Sequence, residues 1–242
     1  MAAIAPQASG GRVSVRDDAQ DVATTVLVGT AAGALAGLVV GGIGGRVVML
    51  VLRLLSDPIV LGVTSDDGFE IGQVTFGGSF QLAGAMAAAG AANGVLYSVL
   101  RDMIPLRFRA ALWSLFAAGV GGSQFVHADG VDFTLLEPQW LAIAAFVALP
   151  GLAALVVVVL VERWLADERT RPRLAVLAIA AVTGTIALVL ASAAAVAVLG
   201  ARRLGLSGRL AAVGRVVVPV ALVVGAVVGA WATVDKSSQI LG

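Results

Sequence analysis

The sequence contains no cysteine and a single histidine, His127, and both shortages narrow the chemistry available to the protein. Without cysteine there are no disulfides, no thiolate metal ligands and no cysteine nucleophile. The single histidine excludes the paired histidines of zinc hydrolases. The sequence also lacks a phosphate-cradling Gly-Lys-Ser/Thr loop and a Gly-x-Ser-x-Gly nucleophile turn. We therefore expect neither enzymatic activity nor a cofactor.

Charged residues are scarce as well: they make up 13% of the chain, against 59% hydrophobic residues. The mean hydropathy is +0.99. Soluble domains carry about 25% charged residues, and a soluble fold of this length could not bury so much apolar surface. The composition therefore predicts a multi-pass integral membrane protein. The formal net charge of +1 gives no reason to expect a nucleic-acid partner.

Long apolar runs are abundant, and a helix needs about 20 such residues to cross a bilayer. The runs are Val22–Leu55, Phe80–Leu100, Ala110–Val126, Trp140–Val161, Leu174–Leu199 and Leu210–Thr233. They predict an all-α bundle of about six transmembrane helices. Asn93 and Tyr97 share a face of the second helix, and we expect both to point into the bundle, where polar groups find partners.

The loops between these runs alternate in charge. Residues 56–79 carry four acids and no base, 101–109 three arginines, 127–139 three acids, and 162–173 four arginines. Because arginine marks the cytoplasmic side, we expect a plasma (inner) membrane protein with a cytoplasmic N-terminus. Residues 201–209 carry three arginines, although six alternating spans would place them outside. The orientation of the last two helices is therefore left open.

These patterns divide the chain into three parts. Residues 1–21 are predicted to form a disordered cytoplasmic tail, 22–165 a four-helix membrane core, and 166–242 a two-helix membrane hairpin with a short tail. The two acidic loops of the core should form a small outer cap. The first of them contains Asp67-Gly68 between β-rich stretches, which is typical of a β-hairpin.

Glycine recurs at every fourth position at the start of the first run. The stripe consists of Gly29, Gly33, Gly37, Gly41 and Gly45. Each glycine in a helix interior costs about 1 kcal/mol relative to alanine, but in a bilayer small residues let two helices touch closely. The stripe therefore predicts close packing. Its partner could be Gly90 and Gly94 of the second run, Ala221, Gly225 and Gly229 of the sixth, or another chain, as a homo-oligomer or with another membrane protein.

The acidic loops hold the candidate binding residues, which are Asp66, Asp67, Glu70, His127, Asp129, Asp132 and Glu137. Three interpretations remain open. Their oxygens and the imidazole could hold a hard cation. They could instead pair with Arg46 and Arg53, which share one helix face because they are two turns apart. They could also form a simple solvated surface.

Three stretches resemble a family of uncharacterised bacterial multi-pass membrane proteins from GC-rich genomes. They are "GGRVVMLVLRLLS", "TSDDGFEIGQVTFGG" and "HADGVDFTLLEPQWLAIAAFVALP", and the resemblance covers about residues 41–163. It implies no activity, but it places weight on the first four spans and their acidic loops.

The sequence thus favours a non-enzymatic binding or scaffold protein that recognises a partner, a lipid or an ion through its acidic outer cap. The alternative is a small transporter or channel for an ion or small solute. A transporter should have a water-accessible route past Asn93, Gln124 or Pro150. A binding protein should have a dry, packed interior, and an enzyme should have a pocket with convergent ionisable groups.

Overall fold

The computed structural model describes residues 15–65, 68, 70, 75–167 and 207–242, and this part of the chain is almost entirely helical. The main elements are α1 (Val15–Ala36), a π-helical segment (Gly37–Gly44), α2 (Gly45–Leu55), α3 (Phe76–Leu100), α4 (Arg109–Phe125), α5 (Val131–Thr134), α6 (Gln139–Ala166) and α7 (Ser207–Leu241). Short 3₁₀ turns cover residues 58–60, 101–103 and 106–108.

Four helical stretches are long and apolar enough to cross a membrane, namely Gln20–Leu55, Phe76–Met103, Gln139–Ala166 and Ala212–Leu241. These stretches suggest a helical membrane protein, as the composition predicted. The number of six spans is not confirmed. The predicted third span corresponds to α4, which has 17 residues, fewer than the roughly 20 that a bilayer core requires. The predicted fifth span, Leu174–Leu199, lies outside the described residues.

The first helix begins earlier than the sequence predicted. It starts at Val15, inside the stretch 1–21 that was expected to be a disordered tail, and residues 1–14 lie outside the described part. From Val15 the helix runs through the π segment to Leu55 without a break.

The helices pack in two antiparallel pairs, α1 with α3 and α4 with α6, and α7 packs on α4. In the first pair, a Cβ atom added at Gly33 would overlap the carbonyl oxygen of Gly90, and one added at Gly29 would lie 2.6 Å from the carbonyl oxygen of Gly94. In α7, a Cβ at Gly229 would lie 2.5 Å from the carbonyl oxygen of Gly119 in α4. Both contacts bring backbones together at positions that only glycine fits.

The bundle has two distinct ends. We call the end that carries the turn between α3 and α4 (residues 101–108) the hairpin end. We call the end that carries residues 56–75 and 126–138 the loop end. α7 runs parallel to α4, because Gly214 lies beside Met103 at the hairpin end and Lys236 binds Ser123 near the loop end. Asp167 and Ser207, which flank the undescribed residues 168–206, therefore both lie at the hairpin end.

The first acidic loop shows only part of the predicted hairpin. A single antiparallel bridge joins Thr64 to Glu70. Gly68 adopts a φ of 79°, which favours glycine, and its N–H donates to the carbonyl oxygen of Ser65 at 2.9 Å. A tight turn therefore lies at the expected position. The described residues contain no strand beyond this bridge, and residues 66, 67, 69 and 71–74 lie outside the described part.

Candidate functional site

A cavity of about 930 Å³ lies between the two helix pairs, and we call it the cleft. The π segment with α2 forms one wall, and α3, α4 and α6 form the others. Most lining side chains are apolar. Several, such as Ile43, Val47 and Leu96, have about half of their surface exposed. Because these residues lie within helices long and apolar enough to cross a membrane, the cleft opens sideways, at the depth that lipid chains would occupy.

The part of the glycine stripe nearer the loop end forms part of the cleft wall. Gly29, Gly33 and Gly37 lie against the backbone or side chains of α3. Near the loop end the contact with α3 passes to Gly42, where an added Cβ would lie 3.2 Å from the Cα of Ala83. Gly41 faces only the side chain of Met86, and a Cβ at Gly45 would meet nothing within 4 Å. Space is thus left open beside Gly45, whereas the Met86 side chain covers Gly41.

The mouth of the cleft at the loop end is polar. Arg46, Arg53, Ser65 and Glu70 line it, so the two arginines do share a face, as their spacing predicted. Arg46 is half-buried and has interactions of its own. Arg53 is also half-buried, and among the described residues no ion pair joins it to Glu70 or to another acid. Charges of both signs therefore face the cleft mouth.

The cleft is closed toward the hairpin end by contacts between α3 and α4. The indole Nε1 of Trp113 donates to the Oδ1 of Asn93 at 2.8 Å. The rings of Tyr97 and Trp113 pack with their centroids 5.4 Å apart. The prediction that Asn93 and Tyr97 point into the bundle is confirmed. Both side chains serve to join the two helices.

Behind this closure, Glu162 of α6 ties three helices together. Its carboxylate accepts hydrogen bonds from the Tyr97 hydroxyl at 2.7 Å, from Arg109 at 2.9 Å and from Arg101 at 3.3 Å. Asp102, which is 77% exposed, lies 3.4–3.5 Å from the same two arginines. We call these five residues the Glu162 cluster. Sequence reasoning missed it, although a carboxylate at the end of an apolar run beside an arginine-rich turn was the available signal.

A second, smaller cavity of about 360 Å³ lies at the loop end. His127, Asp129 and Asp132 line it together with three phenylalanines. Phe133 and Phe146 meet edge to face at 5.2 Å. Phe125 and Phe146 also line the cleft, so the two cavities are neighbours. The structure thus brings three predicted residues of the second acidic loop into one cavity.

The seven candidate residues do not form a single group among the described residues. Glu70 lines the cleft rather than the smaller cavity. Glu137 is exposed, and its backbone N–H donates to Ser56 Oγ at 2.8 Å. Asp66 and Asp67 lie outside the described residues. Within the described part, no group of three or more metal-ligating side chains is close enough to hold an ion. A cation site that includes Asp66 or Asp67 stays a prediction.

Comparison with protein-family models, with curated proteins and with solved structures finds no match to this chain. The resemblance noted from the sequence therefore stays a prediction, and the site must be interpreted from its own geometry.

Proposed function

We propose that this protein is a non-enzymatic, multi-pass protein of the plasma membrane that binds a phospholipid in the cleft. One observation carries the proposal: a cleft of about 930 Å³, apolar along its length and open sideways, ends at Arg46 and Arg53. This volume is near the upper end of the range of ligand pockets, roughly 300–1,000 Å³. A chain-like apolar body with a charged head matches both parts of the cleft.

The apolar part of the cleft supports an acyl chain as its occupant. An acyl chain loses no water when it moves from the bilayer into a protein cleft, so the hydrophobic effect contributes little to its affinity. The gain comes from close packing against side chains. The cleft wall at Gly45, where an added Cβ would meet nothing within 4 Å, leaves room for an extended chain. Affinity above that of bulk lipid must then come mainly from the headgroup.

The arginines at the mouth support a phosphate as the head. A guanidinium donates two parallel hydrogen bonds to a phosphate, and it is desolvated more easily than an ammonium group. Arg53 is the available cation, since it is half-buried and makes no ion pair within the described chain. With the N-terminus cytoplasmic, as the arginine distribution favours, the loop end lies outside. The ligand would then come from the outer leaflet.

Transport of a small solute is a second candidate, and Pro150 favours it. Pro150 lies inside α6 and lines the cleft together with Asn93, which are two of the positions expected along a transport route. Proline removes a backbone hydrogen bond and so allows a helix to bend. A complete route, however, would require the Asn93–Trp113 contact and the Glu162 cluster to separate.

The test measures bound phospholipid by native mass spectrometry of protein released from nanodiscs. Arg53→Gln should reduce lipid occupancy about fivefold to thirtyfold, because a charge-assisted hydrogen bond contributes roughly 1–2 kcal/mol at a half-buried position. Arg107→Gln is the matched control, since Arg107 is exposed at the opposite end of the bundle and should leave occupancy unchanged.

Two results would contradict the proposal. The first is equal lipid occupancy in Arg53→Gln and in the native protein. The second is a crosslink that places residues 174–199 of the same chain inside the cleft. Conversion of the bound lipid into a product would instead contradict the non-enzymatic part of the proposal.

A further inference from the structure

The cleft mouth presents charges of both signs, and they are not neutralised by one another. Arg53 and Glu70 line the same cavity, yet the described residues contain no ion pair between them. A simple anionic headgroup would use the arginine but would be repelled by the carboxylate. The Glu70 carboxylate instead supplies a position for a positively charged ligand group at the same mouth as Arg53.

We infer that the ligand is a phospholipid whose headgroup carries an ammonium group, of the phosphoethanolamine type, with its phosphate at Arg53 and its ammonium at Glu70. This inference rests on the proposed function and specifies its ligand class. A phosphate and an ammonium separated by two carbons form a short zwitterion, which complements a cation and an anion at one cavity mouth. An ammonium group offers three N–H donors, and a carboxylate only accepts, so the pairing is complementary in hydrogen bonding too.

The position of Glu70 in the loop supports this role. Its backbone forms the antiparallel bridge with Thr64, next to the Gly68 turn, so the backbone at Glu70 is held while its side chain stays exposed. A headgroup at the mouth of a cleft lies at the membrane surface, where an exposed carboxylate can reach it. Because the Glu70 carboxylate and the ammonium group would form an exposed ion pair, the preference for this headgroup should be moderate.

The experiment compares three dioleoyl lipids, phosphatidylethanolamine, phosphatidylglycerol and phosphatidylcholine, for binding to the protein in nanodiscs. We expect phosphatidylethanolamine to bind about threefold to fivefold more tightly than phosphatidylglycerol, which has no cation to pair with Glu70. It should also bind more tightly than phosphatidylcholine, whose quaternary ammonium has no N–H to donate. Glu70→Gln should abolish this preference, and Glu70→Asp should retain part of it. Asp129→Asn is the matched control, because Asp129 is exposed at the same end but does not line the cleft.

The outcomes separate the headgroup inference from the proposed function. Equal binding of all three lipids, still weakened by Arg53→Gln, would overturn the headgroup inference and leave the proposed function standing. A preference that survives in Glu70→Gln would overturn it as well. If none of the three lipids binds to the native protein in a way that depends on Arg53, the proposed function itself fails.

Discussion

The two halves of the glycine stripe have the same spacing but different surroundings. At Gly29, Gly33 and Gly37 the stripe lies against α3, so tightly that a methyl group at Gly33 would overlap a carbonyl oxygen. At Gly41 and Gly45 the same pattern faces a methionine side chain or open space. Small residues in a membrane helix leave its backbone uncovered. The position of the neighbouring helix then determines whether that backbone is packed against another helix or faces a cavity.

The largest effects on the free energy of unfolding should come from replacing one glycine in each half of the stripe by alanine. Gly33→Ala places its Cβ on the carbonyl of Gly90, and we expect it to lower the free energy of unfolding by about 2 kcal/mol or more, because backbone cannot move aside as a side chain can. Gly45→Ala should raise the free energy of unfolding by up to about 1 kcal/mol, since alanine favours helix and meets nothing there.

Unfolding of both variants in mild detergent, followed by circular dichroism against added denaturant, checks this pair. Opposite signs would support the division of the stripe into a packed half and an open half. Equal destabilisation by both substitutions would contradict it, because it would mean that α3 or another helix covers Gly45 as well.

A smaller effect on stability is expected at the closed end of the cleft, where the Glu162 cluster lies. Glu162→Gln weakens the bonds to Arg101 and Arg109 and leaves their charges without a partner carboxylate of comparable burial. We expect a loss of about 1–2 kcal/mol in the free energy of unfolding, because Glu162 is only 29% exposed. Asp102→Asn is the matched control: at 77% exposure its removal should change stability by less than about 0.5 kcal/mol.

Chemical denaturation of the two variants under one detergent condition distinguishes these expectations. A loss on Asp102→Asn that equals the loss on Glu162→Gln would show that the cluster acts through surface charge alone. It would also remove the reason to regard the hairpin end as a fixed closure of the cleft.

The last prediction concerns the direction of α7 in the membrane, and its single cysteine substitutions should change stability least. α7 runs parallel to α4, so Ser238 near its end should lie on the same side of the membrane as Thr64, and both residues are exposed. Cysteines introduced singly at these two positions should react with an impermeant maleimide in intact cells, whereas one at Asp167 should react only after lysis. The native chain has no cysteine, which removes background labelling. Labelling of Ser238→Cys only after lysis would contradict the parallel arrangement.

Much of the helical framework could be predicted from the sequence, because apolar runs and loop charges report on membrane crossing directly. The four long helices fall on predicted runs, and Asn93 and Tyr97 point inward as two polar groups in an apolar environment must. α7 starts at the hairpin end, where Gly214 lies beside Met103. Six alternating spans would have started this helix at the loop end.

The candidate site could be predicted from the sequence less completely than the helices. The cleft depends on where α3 and α4 separate, and the glycine spacing predicts a close contact without showing where along the helix it ends. A carboxylate at the end of an apolar run was the sequence signal for the Glu162 cluster, but the partners of Glu162 depend on the depth of α6 relative to α3, which no local pattern encodes. The acidic loops were expected to act together, but Glu70 and the second loop line different cavities because Phe125 and Phe146 stand between them.

The most direct test of the central claim asks whether an acyl chain reaches the inner end of the cleft. Trp113 lines that end and is 1% exposed, so a variant in which Trp140, Trp164 and Trp231 are replaced by phenylalanine reports on it alone. In nanodiscs of phospholipid brominated on its acyl chains, we predict that Trp113 fluorescence is quenched. Gly45→Leu, which places a side chain in the cleft, should relieve the quenching. Gly84→Leu, also at a glycine with nothing within 4 Å but outside the cleft, should not. Trp113 fluorescence that is unquenched, or equally quenched in both glycine variants, would contradict the account.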